Sequence, residues 1–206
     1  MRSKSFSSLR QIRDRSASSM SLKEQIRSRL ASLQLRALTT GYTREAAVLI
    51  PIFEKDGEPH FLLTLRTDKV ETHKGQISFP GGMREAGESL EQTALRETFE
   101  EVGIESSQME LLGRFHDFMS ITGYRVAPFA GYIRAPFATN RQTHEVAEIL
   151  TVPFGIFLDP SRLRIQQMLR LDQMIDVYFY SYGTREIWGL TARIIHDFLD
   201  ELQIWL

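Results

Sequence analysis

GMREAGESLEQTALRETFEEVGI, residues 82–104, is the stretch of sequence that decides the fold. Its spacing predicts a helix from Ser89 to Val102, because Ser89 can accept a backbone N–H as the N-cap and Gln92 follows as its capping-box partner. Gly103 is expected to end this helix, and Gly82 is expected to permit a tight turn before it. The apolar positions of the helix are Ala94, Leu95, Phe99 and Val102.

Three carboxylates of this helix, Glu97, Glu100 and Glu101, recur at i, i+3 and i+4 and therefore share one face. Like charges at this spacing repel each other by about 0.2–0.5 kcal/mol per pair on an exposed helix. A solvated acidic face is the ordinary interpretation of such a cluster. A glycine-rich loop next to the cluster favours a bound hard cation instead, since Mg²⁺ prefers oxygen ligands and serves phosphate chemistry.

The whole segment resembles the Nudix box, which runs Gly, five residues, Glu, seven residues, Arg-Glu, apolar, any, Glu-Glu, any, Gly, apolar. Residues 82–104 match every fixed position, and Thr98 stands at a softer position where the family prefers an aliphatic residue. The resemblance implies an α/β/α sandwich with a mixed sheet, in which the box forms a loop-helix-loop. It also implies an enzyme that hydrolyses a nucleoside diphosphate linked to another moiety.

The resemblance assigns roles to residues of the box and its border. The metal-binding carboxylates of the family fall on Glu97, Glu100 and Glu101, with Mg²⁺ or Mn²⁺ as the cofactor, and the carbonyl of Gly81 falls where a backbone ligand often lies. In some members one box glutamate is the general base instead, so Glu97 and Glu100 are also candidate catalytic residues. Arg96 is expected to hold a neighbouring carboxylate in a bidentate ion pair.

Carboxylates outside the box, on a loop that faces the helix, are common in this family. Glu145 and Glu148 are the candidates here. Either could be solvent-exposed, and Glu145 is taken as the candidate for a catalytic role.

A second signature lies upstream of the box. The residues 62–67 (LLTLRT), Gly75 and 79–82 (FPGG) resemble the motif of the coenzyme A pyrophosphatase subgroup, and the segments 123–128 and 187–192 also look like that subgroup. The resemblance thus covers roughly residues 45–195. Such enzymes split coenzyme A into adenosine 3′,5′-bisphosphate and 4′-phosphopantetheine. The substrate-binding candidates are Arg66, Lys74, Gly75 and Phe79.

The subgroup motif is broken at one position, because Glu71 stands where the motif has its second arginine. This reversal of charge favours an alternative substrate such as ADP-ribose, NADH or another dinucleotide, although Lys69, His73 and Lys74 are near enough in sequence to compensate. A module that binds a nucleotide or a protein without catalysis is a third reading. It is disfavoured because Glu88 and the three helix carboxylates are all present.

Composition excludes several classes of site. The 206-residue chain has no cysteine, which rules out disulfides, thiolate zinc sites and cysteine nucleophiles. No apolar run approaches the roughly 20 residues that span a bilayer, so no membrane partner is expected. Residues 1–40 carry nine Lys or Arg against two acids, whereas the remainder carries 16 against 24. Aromatic residues do not interleave with the basic ones, so no nucleic-acid partner is expected.

The basic N-terminus has two readings. Its Arg- and Ser-rich composition resembles a mitochondrial transit peptide, and the alternative is a flexible tip over residues 1–20 followed by a single domain over 21–206. We favour the second, with a cytoplasmic location and the mitochondrion as the minor alternative. A capping box at Ser21 and Glu24 predicts a helix over about 21–36. Its apolar stripe is Leu22, Ile26, Leu30 and Leu33.

The remaining elements follow from apolar patterns and turn signals. Strands are predicted at 45–53, 60–65, 110–118, 126–133 and 176–182, and a helix over about 190–206. Mixed strands with a central and a C-terminal helix indicate a layered α/β domain. The apolar ending Ile204-Trp205-Leu206 would suit a self-interface, so a homodimer is an open expectation.

Overall fold

The computed structural model describes residues 20–67, 75–140, 145–170 and 173–204. The predictions for the tip before Met20, for Lys69, Glu71, His73 and Lys74, and for Trp205 and Leu206 lie outside these residues. In the described residues the helices are α1 (Leu22–Ser32), α2 (Leu90–Val102), α3 (Phe154–Leu158) and α4 (Gly189–Glu201). None of these helices has the length and apolarity that crossing a membrane requires.

The described strands form two sheets. They are β1 (Arg44–Lys55), β2 (Glu58–Arg66), β3 (Ile77–Ser78), β4 (Gly81–Met83), β5 (Met109–Arg114), β6 (Phe118–Met119), β7 (Tyr124–Ile133), β8 (Val146–Pro153), β9 (Leu163–Arg170), β10 (Gln173–Tyr182) and β11 (Arg185–Trp188). The larger sheet has the order β3-β2-β1-β7-β5, with β4 on β1, β6 on β7 and β8 on β2. β1 and β7 are parallel and the other pairs are antiparallel, so this sheet is mixed.

The two faces of the larger sheet pack against different layers, because side chains alternate along its strands. One face carries Ala47, Leu49 and Leu62, which pack with Ala94 and Val102 of α2. The other face carries Ile50, Ile52, Phe61 and Leu63, which pack with Ile26 and Leu30 of α1 and Phe198 of α4. The three-layer α/β/α sandwich with a mixed sheet is therefore confirmed.

The smaller sheet, β11-β10-β9, is antiparallel and packs on the same side as α4. Tyr180 of β10 is fully buried there and its hydroxyl lies 3.0 Å from Nδ1 of His196 on α4. Burial raises the pKa of Tyr180 to about 12. Together with α1 and α4, this sheet therefore forms the layer that covers one face of the larger sheet.

Several predicted boundaries differ from the structure. α1 ends at Ser32 rather than at 36, because Leu33 is extended, and α4 ends at Glu201 rather than 206, because Gln203 adopts a positive φ of 47°. The strand predicted over 110–118 is divided into β5 and β6. Ile204 is only 6% exposed and packs in the core of its own chain, so it is not free for the self-interface that was expected of it.

Candidate active site

α2 begins and ends where its sequence indicates. The capping box between Ser89 and Gln92 is present in both directions, and Gly103 follows in the left-handed conformation at φ 74°. Phe99 was expected in the apolar stripe, but its side chain is exposed. Thr98 is buried in its place, and its hydroxyl donates to the carbonyl of Ala94 at 2.7 Å. The buried face of α2 therefore includes the carboxylate residue Glu101 as well as Thr98.

Gly82 provides room for a carboxylate. A Cβ at this position would lie 2.4 Å from Oε1 of Glu97, far inside van der Waals contact. Gly82 lies in β4 and does not have the positive φ of a glycine turn, so the expectation of a tight turn is wrong. Close approach of the α2 side chain to the strand backbone is what requires glycine here.

Glu101 is a buried carboxylate that is only half satisfied. Its side chain is 7% exposed, and the backbone N–H of Gly81 donates to it. Its Oε2 is buried and has no hydrogen-bond partner among the described residues. Burial, reinforced by the charge of Glu97, raises the pKa of Glu101 to about 8. Such a group is unfavourable as an isolated anion.

Glu97 lies beside Glu101 and against Gly82. Its Oε1 accepts from Nη1 of Arg96 at 2.8 Å. Burial raises the pKa of Glu97 despite this bond, and the charges of Glu100 and Glu145 act in the same direction. Glu97 and Glu101 are therefore two carboxylates whose pKa values burial raises, and the charge of Glu97 further disfavours the charge of Glu101.

Arg96 organises the remaining carboxylates of the box. Its Nε and Nη2 donate to the two carboxylate oxygens of Glu88 at 2.6 and 3.2 Å, which is a bidentate pair. Its Nη1 also reaches Glu100 at 3.1 Å. The hydrogen bond from Arg96 lowers the pKa of Glu88 to about 2, with help from the Thr93 hydroxyl at 2.9 Å. Glu88 is thus the carboxylate that Arg96 holds in the bidentate pair expected from the sequence, which did not name the partner.

The two acidic candidates outside the box have different surroundings. Glu145 pairs with Arg66, whose Nη2 lies 3.0 Å from its Oε2, and the charges of both residues act on Glu101. Glu148 instead pairs with Arg185 at 2.7 Å. The structure therefore brings Glu145 and Arg66 to the carboxylates of α2 and gives Glu148 a different partner.

The structure places the candidate substrate-binding residues in different surroundings. The Nε of Arg66 is buried without a partner among the described residues, and its side chain as a whole is 30% exposed. Gly75 lies just before β3 and has a positive φ of 65°. The ring of Phe79 is only 3% exposed and packs edge-on against Phe61, so it belongs to the core rather than to a ligand surface. Lys74 is outside the described residues.

The donor set fits a hard divalent cation. In the described ranges no three acidic or histidine side chains converge on one point, and Arg96 bonds both Glu97 and Glu100. Glu101 nevertheless keeps a buried oxygen without a partner, next to a second raised-pKa carboxylate. Carboxylate oxygens are the ligands that Mg²⁺ and Mn²⁺ accept. Glu97 and Glu101, with Glu100 beside them, are the residues that would hold the ion.

Comparison with known proteins agrees with this geometry. A family model described as the NUDIX domain matches residues 43–160, which is more than half of the chain. The chain belongs to the Nudix family. Two of its relatives are the uncharacterized Nudix hydrolases NudL of Photorhabdus laumondii and of Yersinia pestis (strain Pestoides F). Each is 39% identical over 162 residues, which is 78% of this chain and 86% or 81% of the relative.

A solved structure supports the Nudix fold in particular. The MutT/nudix family protein from Enterococcus faecalis superposes with a TM-score of 0.53 at 16% identity, covering 89% of this chain and 70% of that one. Nudix hydrolases generally use divalent metals such as Mg²⁺ or Mn²⁺ and bind small nucleotide substrates. This chain is therefore a Nudix hydrolase, and its box is the segment whose carboxylates have just been described.

Proposed function

We propose that this Nudix hydrolase cleaves the pyrophosphate bond of coenzyme A or its derivatives, giving adenosine 3′,5′-bisphosphate and 4′-phosphopantetheine, with Mg²⁺ or Mn²⁺ as the cofactor. The observation that carries the hydrolytic part is the buried, half-satisfied carboxylate of Glu101 beside Glu97. The choice of coenzyme A rests on the spacing from 62–67 through Gly75 to 79–82, which precedes the box.

The binding roles follow from the side chains at the site. Glu97 and Glu101, with Glu100 and the carbonyl of Gly81, would hold the ion. When bound, the cation neutralises pyrophosphate charge and lowers the pKa of a water molecule. Arg66, whose side chain is 30% exposed, would offer its guanidinium group to a phosphate oxygen. Because Arg66 is already paired with Glu145, its guanidinium is held at the site before substrate arrives.

The hydrolysis needs a base that accepts one proton from the attacking water molecule. The oxygen of water adds to one phosphorus, its proton passes to a carboxylate, and the bond from that phosphorus to the bridging oxygen breaks. The side chains of Glu145 and Glu100 are 54% and 47% exposed, so both are accessible to solvent water. We assign the proton acceptor to Glu145, the more exposed of the two, although each of them pairs with an arginine, and keep Glu100 and Glu97 as the alternatives.

A second substrate class is favoured by one residue. Glu71 replaces the arginine of the subgroup motif, and a carboxylate near the 3′-phosphate of coenzyme A would repel it. ADP-ribose and NADH lack that phosphate, so they are the alternative substrates. A non-catalytic module remains disfavoured, since the chain retains the four glutamates of the box signature, which are Glu88, Glu97, Glu100 and Glu101.

A parallel hydrolysis assay separates these substrates. The purified chain is incubated with Mg²⁺ or Mn²⁺ and with coenzyme A, dephospho-coenzyme A, NADH or ADP-ribose, and kcat/KM is measured for each. Coenzyme A should be the preferred substrate. The variant Glu71→Arg should raise kcat/KM for coenzyme A several-fold and leave dephospho-coenzyme A nearly unchanged, because one charge contact that solvent and salt screen is worth about 1 kcal/mol or less. Turnover of NADH or ADP-ribose without coenzyme A cleavage would replace the proposal by its alternative.

A further inference from the structure

Arg125 lies near the start of β7, in the 123–128 segment whose sequence resembles the subgroup but which the proposed chemistry does not use. Glu45 of β1 is opposite Arg125 in the parallel register of the two strands. Nη1 of Arg125 donates to Oε1 of Glu45 at 2.8 Å, and its Nε donates to Oδ2 of Asp117 at 2.8 Å. Two of its three guanidinium nitrogens are thus already bonded to carboxylates of the protein.

The surroundings of Arg125 are shielded from solvent. Its side chain is 13% exposed, and the side chain of Asp117 is completely buried. Asp117 also accepts from the backbone N–H of Leu38 at 2.9 Å and pairs with Arg114. Ion pairs in such surroundings are weakly screened and geometrically restrictive, and the loss of one partner leaves an uncompensated buried charge.

The second oxygen of Glu45 continues the network toward the box. Its Oε2 accepts from Nε of Arg84 at 2.8 Å, and the backbone N–H of Arg84 donates to the carbonyl of Glu45 at 2.9 Å. Arg84 lies in the loop between β4 and α2. Its Nη1 donates to the carbonyl of Glu88 at 3.0 Å. Both oxygens of Glu45 are therefore occupied, one by Arg125 and one by Arg84.

Glu88 joins this network to the α2 carboxylates. Its own carboxylate holds Arg96, which in turn bonds Glu97 and Glu100. A continuous series of contacts therefore runs from the buried Asp117 to two of the candidate metal ligands. Outer contacts of this kind orient metal-binding side chains in many proteins, and their loss lowers metal affinity.

We propose that Arg125, Glu45 and Arg84 form an ion-pair relay that positions the loop 84–89 and, through Glu88 and Arg96, the metal-binding carboxylates of α2. Arg125 is a positioning residue on this view and does not contact substrate. The inference rests on the proposed cation-dependent hydrolysis at α2 and is independent of which nucleotide derivative is cleaved.

The variant Arg125→Lys tests the relay. Lysine keeps the charge, but a single ammonium cannot reproduce the two directed bonds of the guanidinium. We expect faster amide hydrogen exchange in the peptide 83–90 and Mn²⁺ affinity, measured by titration of the full chain, to fall by about tenfold. kcat should fall while the KM of the substrate changes by less than about twofold. The matched control is Arg193→Lys, which alters an ion pair with Asp197 on α4 and should leave all four quantities unchanged.

A second variant distinguishes loss of the relay from misfolding of the Arg125→Lys protein. Arg84→Gln lies at the more exposed end of the relay, since its side chain is 38% exposed. It should reproduce the exchange and Mn²⁺ effects, and the double variant with Arg125→Lys should be less impaired than the sum of the two, because both changes break one pathway. Additive effects would contradict the relay.

The remaining outcomes are also decisive. A raised KM with parental hydrogen exchange and parental Mn²⁺ binding in Arg125→Lys would make Arg125 a substrate contact and overturn the proposal. If no tested substrate were hydrolysed, the proposed function would fail, whereas the exchange and Mn²⁺ measurements would still decide on the relay.

Discussion

At the residue scale, the proposed chemistry depends on Glu101 and Glu97 of α2. Glu101 is buried, the side chain of Glu97 is 17% exposed, and Glu101 has an oxygen with no partner in the described residues. Two neighbouring carboxylates in a poorly solvated site can stay charged only if a cation or a set of donors compensates them. Of these two carboxylates, Arg96 donates only to Glu97, and Glu101 accepts from the backbone N–H of Gly81. The arrangement is therefore unfavourable by itself, which supports the proposal that both residues bind a divalent ion.

The first prediction concerns these two ligands. Glu97→Gln and Glu101→Gln should each lower kcat by about a hundredfold or more, since the loss of a charged metal ligand costs several kcal/mol of transition-state stabilisation. Circular dichroism should show that the fold persists. Glu148→Gln is the matched control, because Glu148 pairs with Arg185. Activity within a few-fold of the parent at limiting Mg²⁺ would remove the ligand role of the residue concerned.

The raised pKa of Glu101 predicts how the stability of the metal-free protein depends on pH. Between its ordinary value of 4.5 and the folded value of about 8, the folded state keeps a proton that the unfolded state releases. Stability is therefore fully present below about pH 4.5 and is lost as the pH rises through about 8. In EDTA, the melting temperature should fall by several degrees more in the parent than in Glu101→Gln across this range. An equal fall of the melting temperature with pH in the two proteins would contradict the raised pKa of Glu101.

Gly82 gives a third residue-scale prediction. A methyl group at Gly82 would overlap the Glu97 carboxylate, which is the flexible end of a side chain and can move away. Gly82→Ala should therefore lower kcat by about tenfold or more while the melting temperature changes little. The control is Gly155→Ala, where an added Cβ meets nothing within 4 Å. Parental kcat in Gly82→Ala would show that the position of Glu97 does not matter.

At the scale of elements, local sequence signals were sufficient for α2 and for the start of α1. Both capping boxes are present, at Ser21 with Glu24 and at Ser89 with Gln92, because these contacts are made within one helical turn. The ends of α1 and α4 were predicted too late, since apolar residues such as Leu33 and Ile204 continue to pack after the helix has stopped. Hydrophobic periodicity alone does not show whether such an apolar residue lies in the helix or in the segment that follows it.

The docking of α1 can be tested by truncation. Ile26 is fully buried, Leu30 is 6% exposed, and Lys23 pairs with Glu110 of β5 at 3.0 Å. Deletion of residues 1–20 should leave the melting temperature and kcat unchanged. Deletion of residues 1–33 should lower the melting temperature markedly, since burying each such side chain is worth about 1.5–3 kcal/mol. Equal melting temperatures for the two truncated proteins would contradict the packing role of α1.

At the scale of the whole molecule, the parts of the site that escaped prediction depend on contacts between distant segments. The pairing of Arg125 with Glu45 requires β1 and β7 to be parallel neighbours in one register, and no local pattern specifies that register. The buried position of Glu101 likewise depends on how α2 packs on the sheet. Sequence could identify the carboxylates of the box by their spacing, but only the assembled fold separates Glu145, which faces them, from Glu148, which does not.

The central claim is that the α2 carboxylates support cation-dependent cleavage of the coenzyme A pyrophosphate, and ³¹P NMR of that reaction tests it most directly. With Mg²⁺, the diphosphate resonances of coenzyme A should be replaced by those of two phosphomonoesters, adenosine 3′,5′-bisphosphate and 4′-phosphopantetheine. EDTA or the change Glu101→Gln should suppress this conversion. Persistence of the diphosphate resonances with Mg²⁺ and Mn²⁺, in a preparation that hydrolyses NADH or ADP-ribose, would contradict the claim.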